Sequence, residues 1–417
     1  MKFKNLLLIL LLFSYLQLNA ITYRTQLFDN DIRTLKVLAN SETLLPPVVN
    51  LNSDDVINIS FDQLNYEFDY FNYKIIHCDA SWQPSSLTTM DYLDGFDNGY
   101  IDEYDYSVST TVNYINYSLQ IPNDDVSLKI SGNYAVLIAR DNDFDNKLVA
   151  VACFSVAEYV SIFSSSITFN TIKELNKRYQ QLDIEVNTNS VGSTQPMQDF
   201  KLIVRQNGRY DTEVEFDRPT YINGANLQYK NNVNLVFEAG NQFRSVDFSS
   251  IYTYGSGIDH IAYEKGLYNV YLEPSELRVR SPYNYPYDAR GQYVINLQGS
   301  DNPEITADYM WVHFYMPLDA PFFTGSLYLV GEITSNLINE ESRMVYDFEK
   351  KCYYKSLFLK QGGYNYIYAL KNKGEDRLSL LETEGSFWQS KNRYELYLYY
   401  RPFGARYDRL VGFDTVE

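Results

Sequence analysis

Three observations predict an all-β chain of tandem immunoglobulin-like β-sandwich domains. Tyr stands at 40 and Phe at 24 against 3 Trp, and aromatic and β-branched residues suit a pleated, half-buried surface. Apolar and polar residues alternate in many short runs, the period of a strand with one buried face. Clusters of Asn, Asp and Gly separate these runs at short intervals, which is the turn chemistry of antiparallel sheets. With 417 residues, 45% of them hydrophobic, the chain has the length for two or three domains and for sizeable cores.

Residues 1–20 read as a secretory signal. Lys2 and Lys4 open it, residues 6–16 are its apolar stretch, and Leu18-Asn19-Ala20 offers a cleavage site, although Leu18 is larger than usual there. The apolar run is shorter than the roughly 20 residues that span a bilayer. No Cys follows it to accept a lipid. No later segment is apolar enough to span as a helix.

A first domain is expected over 21–157. Residues 55–61, 71–77 and 114–121 alternate as strands, and 134–139 and 148–156 pair around the turn 141–146. Residues 91–106 are acidic and turn-rich, and read as an ordered surface loop carrying Phe96, Tyr100 and Tyr104. A second domain is expected over 158–318. Its strands are 182–186, 202–206, 233–237, 293–297 and 308–315, with either a helical turn or a loop at 171–181 and a loop at 283–293. Pro317 and Pro321 punctuate a linker. The third domain, 319–417, has strands at 326–332, 353–359 and 392–401. It resembles the small modules found beside glycan-active enzymes.

The formal net charge of −18 repels nucleic acid and anionic lipid, and no basic stripe offsets it. Catalytic machinery is not apparent. The three His, at 77, 260 and 313, stand apart, and no Cys cluster or metal-spaced His pair occurs. His77 and Cys78 are neighbours, but adjacent strand residues point to opposite faces. No nucleophile elbow or phosphate loop appears. No catalytic residue and no cofactor are therefore assigned. Cys78, Cys153 and Cys352 read as small buried hydrophobes, with a Cys78–Cys153 disulfide as the alternative. Asp141, Asp143 and Asp145 offer alternate oxygen ligands for calcium, or simply a polar hairpin tip without the Gly and distal Glu of an EF-hand. Trp388 and the Tyr series suit either sugar stacking or core packing.

A set of short signatures recurs in order. These are His77-Cys78-Asp79-Ala80-Ser81-Trp82, Asp91-Tyr92-Leu93-Asp94-Gly95-Phe96, Asn113-Tyr114-Ile115-Asn116-Tyr117, Ile121-Pro122-Asn123 and Ser131-Gly132-Asn133-Tyr134. Phe61-Asp62-Gln63-Leu64, Gly240-Asn241-Gln242-Phe243-Arg244, Asp308-Tyr309, residues 359–366 and Tyr399-Tyr400-Arg401 extend it. Together they resemble the plug proteins of the type IX secretion system of Bacteroidota. Ala80 stands where an acidic residue is expected, and Gly363 where an aromatic is. The resemblance implies a non-enzymatic periplasmic protein, peripheral to the outer membrane and monomeric outside its complex. It implies a partner, the outer-membrane translocon β-barrel, whose periplasmic opening the protein seals when no cargo is engaged. Such an interface calls for aromatic anchors with a polar rim. The candidates are Trp82, Phe96, Tyr100, Tyr104, Tyr283, Tyr285 and Tyr287. The alternative is a secreted or periplasmic glycan-binding multi-sandwich protein.

Overall fold

The computed structural model describes residues 22–284 and 288–417. The expected signal at 1–20 and the candidates Tyr285 and Tyr287 lie outside the described residues. The fold is nearly all β, in three sandwiches.

In the first sandwich, one sheet runs Gln26–Leu27, Leu148–Ala157, Gly132–Arg140, Phe71–Cys78, Asn98–Tyr100, with Val48–Asn50 added to Leu148–Ala157. The facing sheet runs Ile32–Ala39, Ile57–Gln63, Ile115–Ile121, Glu103–Tyr106. Ile57, Ile59, Phe61, Phe71, Tyr73, Tyr117, Tyr134 and Phe154 fill the space between them. Each such ring or branched chain contributes roughly 1.5–3 kcal/mol on burial. Gly132–Arg140 and Leu148–Ala157 are buried on both faces, so the outer face of their sheet is also apolar and needs cover. Trp82 supplies part of it. It lies 8% exposed among Tyr23, Cys78, Ala135, Leu137, Val151 and Cys153. Asp79 fixes the turn that carries it, its carboxylate accepting from the Ser81 and Gln83 amides at 2.9 Å. Trp82 is therefore core, not an exposed anchor.

The expected boundary near 318 does not coincide with the sheets. The middle sandwich pairs Phe200–Gln206 with Tyr394–Tyr400, followed by Arg409–Val416, so the last two strands of the chain complete it. Its core joins Leu182, Ile184, Phe200 and Leu202 to Tyr394, Leu396 and Val411. The third sandwich lies in between. Arg244–Asp247, Tyr293–Ile295 and Gly325–Val330 all pair with Gly362–Asn372. Ile258–Glu264, Leu267–Leu272, Tyr309–Pro317, Cys352–Lys360 and Val345–Asp347 form its second sheet. Residues 394–400 alternate strongly, but alternation fixes a strand's faces and not its partner.

The residues expected as a loop at 91–106 form a helical turn, Thr89–Tyr92, and three short strands, Leu93–Gly95, Asn98–Tyr100 and Glu103–Tyr106. The latter two end their respective sheets. Gly99 allows the first to close over the core, because a Cβ there would meet the Tyr73 ring at 2.8 Å.

Cys78 and Cys153 are buried and free. They share a face but sit on strands separated by Gly132–Arg140. Two strand spacings of about 4.8 Å each exceed the reach of a disulfide. Burial pushes both thiols well up, that of Cys153 to about 12.

Candidate docking surface

Two sequence segments alternate aromatic and acidic residues: 66–71 (Tyr-Glu-Phe-Asp-Tyr-Phe) and 103–106 (Glu-Tyr-Asp-Tyr). The fold brings them together on one side of the first sandwich. The Phe68 ring lies 4.9 Å from Tyr70 and 4.7 Å from Tyr104. Tyr106 continues the row, 6.0 Å from Tyr104 and 5.4 Å from Tyr66. Beneath them Tyr117 forms a floor, its hydroxyl donating to Gln63 Oε1 at 3.1 Å. Burial raises that phenol to about 12, so the floor is uncharged at neutral pH.

Tyr70, Tyr100 and Tyr104 open onto a groove of about 610 Å³, with Asp102, Asp141 and Asn142 on its rim. Tyr100 is 70% exposed and Tyr70 66%. Phe96 and Met90 are also well exposed on the first sandwich, outside the groove lining. Exposed aromatics rimmed by polar groups are the make-up of a reversible protein interface. Phe96, Tyr100 and Tyr104 were legible as candidates. Tyr66, Phe68, Tyr70 and Tyr106 were not, although the shared aromatic–acid alternation of the two segments is a signal that points to them.

The other candidates lie elsewhere. Tyr283 is half-buried, packed on Phe387 at 5.4 Å with its hydroxyl donating to the Gln389 carbonyl at 3.2 Å. Trp388 is half-buried against Phe169 at 4.8 Å, across the contact with the middle sandwich. Asp141 pairs with Lys147 at 2.6 Å, and Asp143 accepts from the Asn146 amide at 3.0 Å. Asp141 and Asp143 thus turn to separate protein partners. Among the described residues no three His, Cys, Asp or Glu side chains gather as a metal site.

On the third sandwich, His260, Tyr271 and His313 stack in register across three strands at 4.5 and 4.6 Å. The two imidazoles cover both faces of Tyr271, which leaves it no open face for a sugar. A smaller cavity of about 130 Å³ lies where the sandwiches meet, lined by Lys36, Arg205, Arg290, Arg393, Glu332 and Glu395. Glu332 is exposed as a whole, but desolvation of its carboxyl on the cavity side pushes it up to about 7.

The signature residues fall mainly on the seams between sandwiches. Asp308 accepts from the Thr111 and Val112 amides at 2.8 and 3.0 Å. Tyr114 donates to the Ala307 carbonyl at 2.8 Å. Asp79, Ala80 and Asn133 lie at the seam with the C-terminal strands. There the Ala80 amide donates to Asp408 at 2.9 Å, and Tyr399 donates to Asn133 Oδ1 at 2.9 Å. Ala80 is buried among Ala157, Ile203, Tyr397 and Tyr399, which explains why an acidic side chain is absent. Arg244 pairs with the fully buried Glu384 at 3.0 Å. Burial opposes that carboxylate's charge, but Arg244 and Arg278 hold it below its usual range.

A sequence profile described as "Type 9 secretion system plug protein 1st domain" matches residues 32–158, the first sandwich. No curated protein matches the chain. Among solved structures, it is similar to a hypothetical protein from Parabacteroides merdae, at 37% identity over 95% of this chain and 99% of that one, with a TM-score of 0.92. The C-terminal domain of the Streptococcus pyogenes antigen I/II-family protein AspA aligns at 9% identity over 95% and 99%, with a TM-score of 0.15, on which no structural argument rests. The matched family is a secretion component and not a known enzyme family. Its role is associated with type IX secretion and its location is periplasmic or in the envelope. No helix among the described residues is long and apolar enough to cross a membrane. On the profile match to its first sandwich and the ordered signatures at its seams, the chain belongs to the type 9 secretion system plug protein family.

Proposed function

We propose that this protein is a non-enzymatic plug. It docks on the periplasmic opening of the type IX outer-membrane translocon barrel and closes it when no cargo is engaged. The observation that carries this reading is the open aromatic groove at Tyr70, Tyr100 and Tyr104, on the sandwich that matches the plug profile. A seal that must also release calls for a few aromatic anchors within a polar rim, not a continuous apolar face. A plug must also resist deformation, and each pair of sandwiches is bridged by hydrogen bonds or ion pairs, as at Asp62–Lys360, Ala80–Asp408 and Glu238–Ser379. Export by the segment 1–20 would deliver it to the periplasm as a monomer.

The test is capture by the tagged protein from detergent-solubilised outer membranes, with the partners identified by mass spectrometry. Recovery of a very large β-barrel, reduced when Tyr100 and Tyr104 are changed to Ser, is expected. Recovery of no barrel overturns the reading.

A further inference from the structure

The strand Glu103–Tyr106 ends its sheet. It pairs on one side with Ile115–Ile121, in the register Glu103 to Ser118 and Tyr106 to Ile115. Among the described residues no other strand pairs with its far side, and all four of its residues are exposed. An edge of this kind presents unpaired N–H and C=O groups to any extended chain that can lie beside it. Natural edges are often blunted by Pro, by Lys or by a bulge. Residues 98–106 contain no Pro, Lys or Arg, and the register with the neighbouring strand runs without a bulge.

What guards this edge is charge of one sign. Side chains alternate faces along a strand. Tyr104 and Tyr106 turn to the groove side, where they meet Phe68 and Tyr66, so Glu103 and Asp105 occupy the other face. Residues opposite each other on paired antiparallel strands share a face. A second copy of this edge would therefore bring its own Glu103 and Asp105 against these, with like charges opposed. A strand carrying cations on that face would meet carboxylates instead. On the groove side it would meet tyrosine rings, which accept apolar contacts.

We infer that the edge Glu103–Tyr106 accepts an added strand from the docking partner, an extended segment in which basic residues alternate with apolar ones. The basic residues pair with Glu103 and Asp105, and the apolar ones lie over Tyr104 and Tyr106. Main-chain hydrogen bonds to the edge hold the segment, and the alternation selects it. This rests on the reading that the groove side docks, and adds the chemistry of what it binds.

The probe is a blocked peptide alternating lysine and valine, with a glutamate–valine peptide as control. Both are offered to the full-length protein and to the Glu103→Lys/Asp105→Lys variant. Binding of the lysine peptide to the unchanged protein is expected, slowing amide exchange within 103–106 by about tenfold or more. The variant is expected to exchange its preference and take the glutamate peptide, a result that a misfolded protein does not give. Equal binding of both peptides, or binding without slowed exchange at 103–106, overturns the inference. Barrel capture from membranes separates it from the docking reading. If both proteins capture the barrel equally, docking stands and strand addition falls. If neither does but the peptides swap, docking falls and the edge site stands.

Discussion

Lys360 and Asp62 form an ion pair of 2.6 Å between two fully buried side chains, joining the third sandwich to the first. Asp62 also accepts from the Tyr309 hydroxyl at 2.6 Å and from Asn116 at 2.7 Å. The Lys360 ammonium donates to the Glu304 carbonyl at 2.5 Å and sits 4.2 Å from the centre of the Tyr114 ring. Both charges are thus fully partnered, the condition under which a buried pair survives its desolvation.

Removing one partner strands the other. Asp62→Asn leaves the Lys360 charge buried and is expected to lower the unfolding free energy by about 3–5 kcal/mol. Asp62→Asn combined with Lys360→Met removes both charges and is expected to cost less than Asp62→Asn alone. Urea denaturation of the three proteins checks this. A double variant less stable than the single would count against a charge-based account of the seam.

Gly132 has φ +136, and a Cβ built on it would sit 2.5 Å from His77 Nε2. Gly132→Ala is therefore expected to lose roughly 1–3 kcal/mol or more, from strain and from displacing His77. Gly363 has open space around its Cβ position. Gly363→Ala is expected to be neutral or mildly stabilising, because a strand interior gains from a side chain. Thermal melts of the two variants give the comparison.

His77 and Glu332 pull stability in opposite directions with pH. Burial lowers His77 from an ordinary 6.5 to about 4. Below 6.5 the unfolded chain takes up a proton that the folded one refuses. Stability from this group is complete above 6.5 and is lost as pH falls toward 4, by about 3 kcal/mol in all. Desolvation of its carboxyl raises Glu332, a residue exposed as a whole, from 4.5 to about 7. Its contribution is complete below 4.5 and is lost as pH rises through 7, but it is smaller than that of His77, because Glu332 is exposed and water screens its charge. In Glu332→Gln the His77 slope should stand uncovered, with stability climbing more steeply from pH 4.5 to 6.5 than in the unchanged protein. Denaturation at stepped pH measures it, and identical slopes in the two proteins would refute the assignment.

The three thiols are expected to react with a disulfide reagent only on unfolding, since all are buried and burial holds those of Cys78 and Cys153 protonated. Rapid titration of Cys78 or Cys153 in the native protein would contradict the packing described.

Much of the fold was legible because alternation marks strands. Ile57–Gln63, Phe71–Cys78, Ile115–Ile121 and Tyr394–Tyr400 all occur where the residues predict them. Partnership was not legible. Tyr394–Tyr400 crosses back to Phe200–Gln206, a pairing between residues nearly two hundred positions apart that no local pattern encodes. Trp82 looked like an anchor because a Trp in a turn is conspicuous. Only the sheet shows that Ala135, Leu137 and Val151 need it as cover. Phe96, Tyr100 and Tyr104 were legible because acidic, turn-rich surroundings keep rings near water. Phe68 and Tyr70, which join Tyr104 at the groove, stand 36 and 34 residues before it, so only folding makes them one surface.

Closure of the translocon is measured most simply as conductance. The translocon barrel, purified and inserted into a planar bilayer, is recorded before and after this protein is added to its periplasmic side. The large open-pore current is expected to fall to near the bilayer baseline, and the Tyr100→Ser/Tyr104→Ser protein to block less at the same concentration. An open-pore current unchanged by the unmodified protein would contradict it.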